Sequence, residues 1–230
     1  MPSCYAIPLE TPQATGLTAL NATTGFTCAW WSKTFSTDGG IIDHYSNNSS
    51  LRNGYSVVWA SGAPSVYVKS GTGFSSTSIP GFLGADSLRI SRRWFHIAVT
   101  FDNATNQVRG YLNGKLVGVG TNTTDMTETT TNVTTRLFPT ISGNTTALLF
   151  DIQLFVNQVV PGSDIPLLMD PQGHYQGLSA RWCGLDFTTV SSPGSILDES
   201  GNGNNIPWTA TTAGNRFHQM EEPPFRFTIA

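Results

Sequence analysis

Residues 92–120 read RRWFHIAVTFDNATNQVRGYLNGKLVGVG, and this stretch decides the fold. Side chains of a strand point alternately to its two faces, so Phe95, Ile97, Val99 and Phe101 share one face and Trp94, His96, Ala98 and Thr100 the other. A polar turn at residues 102–106 leads into a second short segment, and the dipeptide Asn113-Gly114 leads into a third. Asn-Gly is a strong hairpin signal, because a two-residue type I′ turn needs positive φ at both positions. The stretch therefore predicts three consecutive antiparallel strands with one core face. His96, opposite the apolar set, is expected to be a surface or inter-sheet hydrogen-bonding residue.

The run Trp94-Phe95-His96-Ile97-Ala98-Val99-Thr100-Phe101-Asp102, followed by Val108-Arg109-Gly110-Tyr111-Leu112-Asn113-Gly114-Lys115-Leu116-Val117-Gly118, resembles the central signature of laminin-G-like domains in the concanavalin A-like lectin/glucanase superfamily. Residues 25–33, GFTCAWWSK, resemble the early strand of that family, and residues 148–165 its closing strand and short helix. The resemblance implies an all-β chain folded as a two-layer antiparallel β-sandwich, a concanavalin A-like jelly roll, with one short helix beginning near Ser163. Residues 180–205 resemble the segment with which such domains open, yet here they follow the closing strand. Either the domain is circularly permuted, with residues 181–187 in the vacant first-strand position, or that strand docks on a neighbouring copy. A partner in the same chain has the higher effective concentration, which favours permutation. The expected division is an extended arm over 1–20, a sandwich over 21–205 in which 180–205 supplies the displaced strand, and an extended tail over 206–230.

A chain of 230 residues suits one large all-β domain. Charged residues make up 12%, well below the usual ~25%. With a net charge of −3 and no basic cluster beyond Arg92-Arg93, no nucleic acid is expected as a partner. No apolar run is long enough for a transmembrane helix, and the first residues lack the basic and apolar regions of a cleavable signal peptide. Cys4, Cys28 and Cys183 are widely separated and odd in number, which suits buried thiols formed in a reducing compartment; a bridge from Cys183 to Cys4 or Cys28 is the alternative. Sequons stand at Asn21, Asn47, Asn48, Asn103, Asn122, Asn132 and Asn144 and read as chance in a chain rich in Asn and Thr. Residues 71–86 read as loop. Residues 121–135, TNTTDMTETTTNVTT, read as an exposed hairpin or loop, or else as a surface that pairs with a neighbouring subunit.

Glycosidases of this superfamily need two carboxylates facing one another across a bond. Glu10, Glu128, Glu199, Glu221 and Glu222 offer no such alternating pair, and His44, His96, His174 and His218 have no ligand spacing, so no enzyme is expected. Sugars stack on aromatic rings, and the candidates for that contact are Trp59, Tyr45 and Tyr67, with Asp43 and His44 beside them. The oxygen-rich segment 198–204 makes Asp198, Asn202 and Asn204 candidate calcium ligands, with a tight Asx-type turn as the other reading. No other cofactor is expected. The chain is thus expected to be a non-catalytic structural or recognition module on the exterior of a larger assembly, a virion decoration or accessory protein such as a bacteriophage carries. It would be made in the cytoplasm and end on the virion surface or outside the cell, with other structural subunits, copies of itself and cell-surface glycans as partners. The alternative is a free or cell-surface carbohydrate-binding lectin or adhesion domain.

Overall fold

The computed structural model of this chain describes residues 5–6, 12–34, 39–46, 53–60, 63–71, 73–82, 93–126, 132–137, 147–183 and 194–208. Two antiparallel sheets face one another. The first contains β3 (Gly25–Thr34), β8 (Phe95–Asp102), β9 (Gln107–Leu112), β10 (Lys115–Thr121) and β12 (Ala147–Val156), in the order β12-β3-β8-β9-β10. The outer edge of β12 is shared by β1 (Tyr5–Ala6), at Leu148 and Leu149, and β13 (Ala180–Trp182), at Ile152 to Leu154. The second sheet runs β2 (Gln13–Thr15), β11 (Val133–Leu137), β4 (Gly39–Ser46), β5 (Gly54–Ala60), β6 (Ala63–Ser70), β7 (Gly73–Ser78). A separate hairpin, β14 (Gly194–Ile196) with β15 (Ile206–Trp208), contributes Ile196 and Ile206 to the core.

The alternation of residues 94–101 places Phe95, Ile97, Val99 and Phe101 toward the second sheet, next to Phe26, Cys28 and Trp30 of β3. Ile42, Tyr55, Val57, Trp59, Val66 and Val68 meet them from the other layer. Phe26 stacks on Tyr55 at 4.5 Å between ring centroids, and the Tyr55 hydroxyl, which needs a partner once buried, donates to the Leu20 carbonyl at 3.1 Å. Asn113 and Gly114 take φ of 48° and 78°, as the hairpin turn requires.

Several expectations change. His96 is not at the surface: it is wholly buried on the outer side of the first sheet, because residues 157–178, including a 3-10 helix at Ile165–Met169, cross that side and pack Val160, Ile165 and Leu168 on Ala29, Ala98, Tyr111 and Phe155. The helix is five residues long and starts two residues later than Ser163. Residues 73–78, read as loop, form β7 through a ladder with β6. Val133, Thr134 and Thr135, within the segment read as an exposed hairpin or loop, are buried in β11 between β2 and β4. Threonine's branched Cβ suits a strand without apolar alternation when the neighbours on both sides supply the register. Residues 127–131 of that segment lie outside the described residues, as does the expected strand at 87–91. Gln13–Thr15, in the expected arm, and Ile206–Trp208, in the expected tail, both join sheets. Cys28 and Cys183 are free thiols, Cys28 in the inter-sheet core and Cys183 on the far side of the first sheet beside Asp151; Cys4 lies outside the described residues.

Candidate functional site: the outer face of the second sheet

Register across the second sheet fixes which side chains share its outer face. One row runs Gln13, Arg136, Asp43, Ser56, Tyr67, Ser76 across β2, β11, β4, β5, β6 and β7. The next runs Thr15, Thr134, Tyr45, Gly54, Lys69 over β2, β11, β4, β5 and β6. Neighbouring strands lie about 4.8 Å apart, so Arg136 and Tyr67 stand about 14 Å from one another with Asp43 and Ser56 between them. The sequence candidates Asp43, Tyr45 and Tyr67 are therefore brought together, and Ser56, Lys69, Arg136 and Gln13 join them.

Hydrogen bonds and charge organise this face. Asp43 Oδ1 accepts the Ser56 hydroxyl, and Arg136 Nε donates to Gln13 Oε1 at 3.3 Å. Burial raises the Asp43 carboxyl above its ordinary range, while the Ser56 bond and the Arg136 and Lys69 cations pull it back. Gly54 occupies the position between Tyr45 and Lys69, and its missing side chain leaves room for the Lys69 ammonium over the Tyr45 ring at 4.5 Å from the centroid. Gly54 is also required by its backbone, with φ of 138° and only 1.9 Å between an added Cβ and the His44 carbonyl. The result is a polar floor at Asp43 and Ser56, flanked by two half-buried tyrosines and two cations. Such a surface can accept hydrogen bonds from hydroxyls, donate to ring oxygens and stack a flat apolar face.

His44 and Trp59 do not belong to it. Both point into the core, where Trp59 is 5% exposed and packs edge-to-face on Phe82. His44 Nε2–H donates to Asn21 Oδ1 at 2.9 Å, and Nδ1 pairs with the Thr135 hydroxyl at 2.8 Å. Adjacent residues of a strand face opposite ways, so Asp43 and His44 could not have shared a site. The same parity marks Lys69 with Tyr67 and could have found it; Arg136 needed the β11–β4 pairing, which no local signal in the sequence specifies.

The segment at residues 198–205 is held as a turn. Asp198 Oδ1 accepts the backbone N–H of Arg181 at 2.8 Å and of Ser200 at 2.9 Å, and Oδ2 that of Asn204 at 2.8 Å. Asn202 and Asn204 turn their amide nitrogens to the Ser179 carbonyl at 3.1 and 2.9 Å. A cation at Asp198 would have to displace three backbone donors. We therefore expect melting to be the same with and without EDTA, measured by circular dichroism; a rise of several degrees on adding calcium would overturn this.

The outer side of the first sheet carries a second polar cluster under its cover. Asp151 and Ile152 form a bulge opposite Trp30, and Asp151 takes φ of 53°. Its carboxylate receives Arg181 Nε at 2.7 Å and Nη2 at 3.1 Å, Gln153 Nε2 at 2.8 Å and the Cys183 thiol at 3.3 Å. Arg181 also donates to the carbonyls of Gly173, at 2.9 Å, and Pro171. These bonds tie β13 and the crossing segment to the sheet.

A family model described as the concanavalin A-like lectin/glucanases superfamily matches residues 10–148. That is more than half of the 230 residues, and the chain belongs to this superfamily. No curated protein sequence matches the chain. Among solved structures, a candidate carbohydrate-binding protein from Bacteroides ovatus is similar with TM-score 0.61 and 13% identity, over 96% of this chain and 61% of that one. The native heptameric SAP-like pentraxin from Limulus polyphemus is similar with TM-score 0.52 and 14% identity, over 91% and 96%. The receptor-binding domain of the botulinum neurotoxin C/D mosaic serotype has TM-score 0.47 and 16% identity, and the chain covers 37% of it. At these identities the likeness is one of fold. Among the described residues no helix is long and apolar enough to cross a membrane.

Proposed function

We propose that this protein is a non-catalytic recognition module that holds a glycan on the outer face of its second sheet and is displayed on the exterior of a larger assembly, a virion. The observation that carries the glycan reading is the convergence of Asp43, Tyr45, Tyr67, Lys69 and Arg136 on adjacent strands of one face. Membership in a superfamily that includes lectins supports it, as does the likeness in fold to a candidate carbohydrate-binding protein. The non-catalytic reading rests on charge: among the described residues Asp43 is the one carboxylate on that face, whereas glycoside hydrolysis by paired carboxylates needs two about 5 to 9 Å apart. The assembly reading draws on Cys28 and Cys183, buried and unbridged as in a protein folded in a reducing compartment. A glycan array, followed by assay of any bound glycan for release of reducing ends, tests the first two parts. Binding without cleavage is expected; cleavage, or no binding to any glycan, overturns them. Imaging of source material with an antibody to this chain tests the third, and label found on free protein alone would favour the lectin alternative.

A further inference from the structure

We infer that this chain is built to fold where no N-linked glycosylation takes place, because the nitrogen that a glycan would occupy is hydrogen-bonded into the fold at one acceptor asparagine and enclosed by it at another. Both belong to acceptor sequons, Asn103-Ala104-Thr105 and Asn122-Thr123-Thr124. Asn103 sits in the turn between β8 and β9. Its Nδ2 donates to the carbonyls of Thr23 at 2.8 Å and Met126 at 3.1 Å, and its Oδ1 accepts the Met126 N–H at 2.6 Å. Both hydrogens of that nitrogen are thus used to join the turn to the chain before β3 and to the chain after β10.

Asn122 follows β10 and is 3% exposed. Its Oδ1 accepts the Ser75 hydroxyl and, at 2.9 Å, the Thr123 N–H. Its Nδ2 is enclosed, with no hydrogen-bond partner among the described residues. Its backbone N–H reaches the Asn106 carbonyl at 2.7 Å, so both asparagines secure the same end of the sandwich.

Oligosaccharyl transfer from a lipid pyrophosphate donor forms an Nδ2–C1 bond, breaks the C1–O bond to the pyrophosphate and releases one Nδ2 hydrogen as a proton. At Asn103 that step removes a donor from a doubly used nitrogen and sets a bulky sugar chain between Thr23 and Met126. At Asn122 it demands volume where the nitrogen is walled in. An N-glycan is a large surface group, and it is attached to an unfolded, accessible chain, so burial in the finished fold gives no protection. Asn132, by contrast, is exposed beside β11. The inference is independent of whether the second-sheet face binds a sugar.

The test expresses the full chain in secretory eukaryotic cells behind a cleavable leader, as wild type and as the Thr105→Ala/Thr124→Ala variant, which removes both sequons and keeps both asparagines. Both are also made in bacterial cytosol, where they are expected to be soluble and to melt within a few degrees of each other. In secretory cells the wild type should carry glycans at Asn103 and Asn122 and be retained and protease-sensitive, while the variant is secreted at least fivefold better. Folded, secreted wild type, glycosylated at those positions or not, overturns the inference. So does a variant that is folded in bacteria but secreted no better than wild type.

Discussion

Arg181→Ala is expected to destabilise the fold by about 3 to 5 kcal/mol, the usual cost of breaking a buried ion pair from one side, and to lower Tm by roughly 10 °C at this chain length. Asp151 is fully buried and the Arg181 side chain 8% exposed. Burial raises the Asp151 carboxyl, and the Arg181 bonds and charge are the largest influences pulling it back down. Without the guanidinium, Gln153 and Cys183 remain as donors to the carboxylate, and the carbonyls of Pro171 and Gly173 lose a shared partner. The left-handed backbone of Asp151 adds a local cost that those bonds offset. The double variant Asp151→Leu/Arg181→Met removes both charges and should be more stable than either single change. Urea unfolding of wild type, Arg181→Ala, the two single changes and the double variant checks this; a loss under 1 kcal/mol for Arg181→Ala would contradict it.

The second large effect is on the acid side of neutrality. Burial lowers the pKa of His44 from 6.5 to about 4 and that of His96 to about 3, against a smaller opposing pull from the Leu168 carbonyl at His96. Both rings are neutral in the folded protein at pH 5, whereas in the unfolded chain they protonate near 6.5. The unfolded state therefore binds more protons below that value, and stability is full above pH 6.5 and falls as pH drops toward the folded values. Between pH 7 and pH 5 each histidine costs about 2 kcal/mol, and the pair about 4 kcal/mol. Asp43 and Asp151, raised by burial, act in the opposite direction as they protonate. His96→Phe isolates one histidine, because its ring nitrogens make no hydrogen bond among the described residues and the aromatic contact with Trp31, at 5.3 Å between centroids, is kept. Urea midpoints between pH 7 and 5 should fall less steeply in that variant; equal slopes would contradict the assignment.

How far the sequence carried depends on the kind of signal. The meander over 92–120 was legible because its period-two pattern and Asn-Gly turn are local, and both appear in the structure at the expected residues. The crossing of the first sheet by residues 157–178 was not, since the burial of His96 depends on a segment some seventy residues away, beyond any window of periodicity. The same limit explains β7 and β11: Ser and Thr runs do not announce a strand, and these became strands through β6 on one side and β2 and β4 on the others. In the candidate site, Asp43, Tyr45 and Tyr67 were legible as polar and aromatic residues of strands. Strand parity alone sets His44 opposite Asp43, whereas the side taken by Trp59 follows from the pairing of β5 with β4 and β6, and that of Arg136 from the pairing of β11 with β4.

The most direct measurement is a calorimetric titration of the best glycan from an array against wild type, Tyr45→Ala and Tyr67→Ala, each first shown to melt within a few degrees of wild type. Losing one stacking or cation-bearing ring should weaken binding about tenfold, equivalent to about 1.4 kcal/mol, and Leu116→Ala, at the exposed surface of β10 in the other sheet, should leave it unchanged. Affinity indifferent to both tyrosines, or lost with Leu116, would contradict recognition on the outer face of the second sheet.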